Sequence, residues 1–183
     1  MNQPPLFVAA KSEVQALEAR LRLVRGGEWQ AIFVDPSTAE EWTRYLLWDY
    51  HGPGPACFRR GVPTLAQALG ALENATTDTE VVAATLYAVN ELPEAKENLS
   101  PLVAQLEVLI GRDKTAFARK VALALAWSQA GEAFNHRNPD GKSFAEVTAD
   151  YDFFKSLATR AARLKKTAEE VCGPVTRDTA LFA

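Results

Sequence analysis

Apolar positions recur with a helical period over most of this chain. Val14, Leu17, Leu21 and Val24 fall on one helix face, behind a capping box made by Ser12 and Gln15 and ahead of Gly26-Gly27. The pattern then changes. Glu28–Val34 is short and rich in β-formers, which predicts a strand, and Asp35-Pro36 predicts a turn. Glu41–Tyr50 carries aromatic and branched residues that favour the second strand of a hairpin. The competing reading is a helix opened by Ser37 and Glu40. His51–Pro63 holds three prolines and three glycines and is expected to be an irregular loop.

From Thr64 the helical period returns. Thr64 and Gln67 open a helix with Leu65, Leu69 and Leu72 on one face. Thr77 and Glu80 open the next, with Val82, Leu86 and Val89 in line and Pro93 as its stop. Ser100-Pro101 places a cap beside a first-turn proline, ahead of Leu102, Leu106 and Leu109. After a break at Gly111–Asp113, Lys114–Phe134 is apolar nearly all round, the pattern of a helix buried between neighbours. A loop follows from Asn135. Ser143 and Glu146 then cap a stripe of Phe144, Val147, Tyr151, Phe154, Ala158 and Ala161. The tail after Gly173-Pro174 is expected to fray. Leu69, Leu86, Leu106 and Leu125 are the expected core.

Helix pairs starting near Thr64 and Ser100 are offset by about 35 residues, the period of a two-helix repeat. The expected fold is therefore mostly α. Antiparallel helix pairs stack as a short α-solenoid or bundle, with a small β-hairpin near the N-terminus. One domain covers 1–183, divided into 1–63, the repeats at 64–172 and a tail at 173–183. Composition agrees: 31 of 183 residues are alanine, the best helix former. The net charge of −3 argues against a nucleic-acid partner. No apolar run nears the roughly 20 residues that cross a membrane, and the N-terminus lacks the pattern of a signal peptide. Cys57 and Cys172 are expected as free thiols in the cytoplasm.

Chemical motifs are sparse. Gly141-Lys142-Ser143 ends like a phosphate-binding loop, but His136 stands where such a loop needs glycine, so Ser143 reads as a helix cap. Gly52-Pro53-Gly54 opens like a dinucleotide fingerprint, yet Cys57 replaces its third glycine. His51 and Cys57 could pair as base and nucleophile, without a third group to orient them. Glu40-Glu41 and Glu169-Glu170 read as solvated carboxylates. No catalytic residue, metal site or cofactor is expected.

Aromatics cluster instead. Trp29, Trp42, Tyr45, Trp48, Tyr50 and Phe58 lie close in sequence around the Pro/Gly segment, and Arg59-Arg60 closes it. Such residues are either core or a binding surface, since Tyr, Trp and Arg dominate interface hot spots. A strand ending in Asp35-Pro36, a Thr-and-Glu turn, a Trp, then Tyr50-His51-Gly52-Pro53-Gly54-Pro55 and Arg59-Arg60 before Pro63 resembles bacterial immunity proteins of polymorphic-toxin systems. Some of these carry HEAT-like helical repeats. The resemblance runs from Ala31, with the general character of the helices to Ala133. The family turn has glycine where this chain has Ala39, and its loop is richer in glycine. The resemblance implies an inhibitor without activity of its own, which occludes the active site of a cognate protein toxin. The alternative is a helical-repeat scaffold or adaptor. The expected contact residues are Trp48, Asp49, Tyr50, His51, Arg59 and Arg60, with Glu40 and Glu41 taking over against a basic toxin cleft.

Overall fold

A computed structural model describes residues 5–27, 29–49, 52–92, 97–132 and 141–177. Among these residues five strands and a first helix precede a helical half: β1 (Phe7–Val8), α1 (Lys11–Arg20), β2 (Arg22–Arg25), β3 (Gln30–Val34), β4 (Glu41–Asp49) and β5 (Gly52–Arg60). The helical half comprises α2 (Leu65–Asn74), α3 (Asp78–Leu86), α4 (Leu99–Arg112), α5 (Lys114–Ser128) and α6 (Phe144–Cys172). A π-helical turn, Tyr87–Glu91, extends α3. The strands form one antiparallel sheet in the order β1-β5-β4-β3-β2.

This sheet corrects the expectation of a mostly α solenoid: the fold is mixed, with helices on both faces of a sheet. The expected β3–β4 hairpin is present, but the Pro/Gly segment read as a loop is strand β5. Its prolines are accommodated for identifiable reasons. The register shifts between Leu46 and Trp48, so Gly54 and Pro55 together face the single residue Leu47. A bulge of this kind tolerates a residue without an N–H. Only the far end of β5 pairs with β1, at Phe58 and Arg59, so Pro53 and Pro55 interrupt no second ladder.

A second correction concerns α1. The helix stops at Arg20, and Val24 leaves the expected helical face to join β2. Ala10, not Ser12, is the N-cap residue. The outer edge of β3 presents unpaired backbone groups, and pairing with residues 22–25 satisfies them at the expense of helical period.

Between β3 and β4 the chain turns on Asp35. Its carboxylate accepts from the Ser37 amide at 2.9 Å and the Ser37 hydroxyl at 2.6 Å, and it meets Arg20 at 3.2 Å. The Ser37 hydrogen bonds hold its pKa below the usual value, with Arg20 adding to the effect. Ala39 adopts φ 60°, left-handed backbone that costs a residue with a Cβ about 1–2 kcal/mol. Ala39→Gly should therefore stabilise the protein by about 0.5–1 kcal/mol, after glycine's larger unfolded-state entropy is deducted. A thermal unfolding scan would reveal this as a raised melting temperature.

Residues opposite one another in register share a face, and the two faces bury different cores. Val8, Ala31, Phe33, Trp42 and Phe58 face α1, where Val14, Leu17 and Leu21 meet them. Phe7, Tyr45, Leu47 and Cys57 face the helical half. There α2 packs on α3, α3 on α5, α4 on α5, and α6 on α5 and α4. Capping boxes at Thr64, Thr77 and Ser143 form as expected. Helix α4 starts at Leu99, just ahead of the expected cap at Ser100, and α5 ends at Ser128 rather than Phe134 because Gln129 turns left-handed. Leu86, Leu106 and Leu125 are buried as expected, whereas Leu69 is half-buried and Ala68 and Leu72 fill the core instead.

The stripe expected along α6 holds only in part. At about 1.5 Å per residue α6 is close to 43 Å long and α5 about 22 Å, so the first turns of α6 project past α5. Phe144 is 88% exposed, while Phe154, Leu157, Ala161, Leu164 and Ala168 are buried. The tail does not fray at Gly173: Val175 is buried, its amide donates to Glu169, and Arg177 donates to the carbonyl of Ala126 at 3.0 Å. Pro93, residues 133–140 and residues 178–183 lie outside the described residues.

Candidate functional site

Strand geometry separates the residues expected to form one contact surface. Glu41 and Asp49 stand at opposite ends of β4, roughly 27 Å apart at the usual strand rise. Arg59 and Arg60 are neighbours on β5 and so point to opposite faces. Arg60 pairs in register with Trp42 and meets Glu40 at 3.4 Å, tying β5 to the Asp35 turn. Glu41 is exposed beside it. Arg59 lies on the helix-facing side, with its guanidinium 5.0 Å from the centre of the Tyr87 ring, and donates to the Gly61 carbonyl. Trp48 and Asp49 end β4 on the part of the β4–β5 hairpin that runs past the start of β3. Their side chains, and Tyr50 and His51 altogether, lie outside the described residues.

Between this sheet and the π-helical turn opens a cleft of about 400 Å³, lined among others by Trp29, Gln30, Tyr45, Arg59, Tyr87 and Glu91. Its volume falls within the range of ligand-sized pockets. The π-helical turn forms one wall, a local widening that often accompanies functional sites. Three aromatic rings, one guanidinium and one carboxylate meet there. Sequence reading placed Trp29, Tyr45 and Arg59 in an aromatic cluster, but Tyr87 and Glu91 come from another element. Only strand register combined with the packing of α3 brings them together.

Cys57 lies beneath the cleft, fully buried. Its thiol donates to the Tyr45 hydroxyl at 3.5 Å. Burial pushes this thiol from its ordinary 9.0 up to about 12, and burial likewise raises Tyr45 well above the usual tyrosine value. A thiol so held is a poor nucleophile. Since the unfolded chain releases both protons first, it binds fewer protons than the folded chain in alkaline solution. Stability is therefore expected to fall as pH rises from about 9 toward 12. Denaturant midpoints measured across that range would test this, and Cys57→Ala should flatten the decline.

The Gly141–Ser143 segment caps α6, and Lys142 pairs with Asp150. Glu169 and Glu170 pair with Lys165 and Lys114. Among the described residues, no three His, Cys, Asp or Glu side chains are placed to hold a metal ion. No described helix is long and apolar enough to cross a membrane. The arrangement offers recognition chemistry: stacking faces, a planar cation and an exposed carboxylate. No protein-family model, curated protein or solved structure matches this chain.

Proposed function

We propose that the chain is an immunity protein that binds a cognate secreted toxin in the cytoplasm and occludes its active site. The observation that carries this reading is Ala39. It takes left-handed backbone at the position where the resembled family has glycine. That backbone is the one glycine favours, so the departure from the family residue falls where glycine would suit this chain, and Asp35, Trp42 and Arg60 frame the same turn. In this reading the protein performs no chemistry. The projecting β4–β5 hairpin from Trp48, with Arg59 and the adjoining cleft, contacts the toxin. Arg60, Glu40 and Glu41 brace the opposite end. The five-stranded sheet removes the solenoid on which the helical-repeat adaptor rested, and with it the HEAT-like repeats that some of the resembled immunity proteins carry.

The test is co-expression with the C-terminal domain of the protein encoded immediately upstream. Co-elution of the two proteins and restored growth of cells making that domain are the expected results. Separate elution, with growth still arrested, would overturn the proposal. Trp48→Ala and Arg59→Ala should each weaken the complex by more than about 1 kcal/mol while leaving the melting temperature of the free protein within a few degrees.

A further inference from the structure

The helical layer covers the helix-facing side of β1, β5 and β4 and leaves β2 and β3 open. Register places Arg22 opposite Val34 and Arg25 opposite Ile32, and Ile32 opposite Thr43 on the helix-facing side. Arg22 and Arg25 are exposed, and Ile32 and Val34 are half-buried. Neither arginine has an ion-pair partner among the described residues, although Arg20 beside them is held by Asp35. Leu23, opposite Phe33 in register, lies on the α1 side of this outer strand and is 56% exposed. Gln30 carries the helix-facing side into the cleft, where Trp29 and Arg59 stand. On this side Arg22, Val34 and Glu41 share one row, and Arg25, Ile32, Thr43 and Arg59 the next, so the free edge of the sheet carries Arg22 and Arg25 while the carboxylate in these rows, Glu41, stands two strands in.

We propose that β2, an outer strand of the sheet, pairs along its free edge with an extended segment of a protein partner in which acidic and apolar residues alternate. The two arginines beside this free edge select the partner. Carboxylates on the helix-facing side of the added segment would pair with Arg22 and Arg25, and the intervening apolar residues, pointing to the other side, would cover Leu23. A second copy of this chain fits poorly, because antiparallel β2 strands would set Arg22 against Arg25. A nucleic acid fits poorly too. It has no peptide backbone to pair with the free edge of β2, and two arginines make no continuous row of cations. The proposal does not depend on the toxin being the partner.

The experiment is a titration of the isotope-labelled full chain, followed by amide shifts, with three probes. These are a short peptide alternating glutamate and valine, its lysine–valine counterpart, and oligothymidine. The acidic peptide is expected to shift residues 22–34 and to bind at least about tenfold more tightly than the basic one. R22E/R25E should reverse that order, and its unchanged circular dichroism would show that the fold persists. Failure of the acidic peptide to bind would overturn the proposal. So would equal binding of both peptides, shifts confined to other surfaces, tighter binding of oligothymidine, or no effect of R22E/R25E. The toxin domain from the co-expression test is then added to both proteins. Its failure to bind the wild-type chain would sink the immunity reading and leave the peptide result to decide this one.

Discussion

Phe58→Ala is expected to cost about 3–5 kcal/mol, enough to bring a domain of ordinary stability close to unfolding. Phe58 is inaccessible to solvent and lies between the sheet and α1. Its ring sits 5.3 Å from Phe33 at 71° and 6.5 Å from Trp42 at 77°, edge-on contacts that add to simple burial. Truncation would leave a cavity walled by two strands and a helix, with little freedom to collapse. Val62 lies just past the same strand and is 79% exposed, so Val62→Ala should stay within about 0.5 kcal/mol. Urea unfolding of the two variants separates a packed strand from a mobile loop. A loss under about 1 kcal/mol at Phe58 would contradict the packing described for β5.

Leu106→Ala should be nearly as severe, at about 2–5 kcal/mol. The side chain is fully buried on α4, whose Leu102, Leu106 and Leu109 form one row in the helix-side core. Leu69 occupies the same kind of position in the sequence pattern but is only half-buried, and Leu69→Ala should cost about 1 kcal/mol. The order of the two losses is the informative quantity. Equal losses would mean that α2 packs with a different face from the one seen.

The helices were legible because several signals agreed at each start. Thr64 with Gln67, Thr77 with Glu80 and Ser143 with Glu146 all combine a cap, a reciprocal partner and a following apolar row. The β3–β4 hairpin was legible from aromatic and branched residues around Asp35-Pro36. The remaining strands were hidden because pairing, not composition, makes them. Gly52–Arg60 is a poor strand by propensity, and a bulge plus a one-sided ladder let its prolines stay. Arg22–Arg25 continues a helical apolar period and becomes strand only because β3 needs a neighbour. The candidate site was half legible. Aromatics and arginines marked the segment, but the opposite orientations of Arg59 and Arg60, and the approach of Tyr87, depend on register and tertiary packing that no local spacing encodes.

Strand β1 is only two residues long, yet Phe7 sits in the helix-side core and Val8 in the α1-side core. It thereby rivets two hydrophobic clusters that the sheet otherwise keeps apart, and the Arg60 amide donates to Leu6 at 3.0 Å just beyond it. Proteolytic nicking ahead of α1 would do more than shorten the chain. It would uncover Phe58 and Cys57 from one side and turn β5 from an interior strand into a bare edge, open to pairing with another molecule. Two residues of strand thus cover an edge that would otherwise be free to pair.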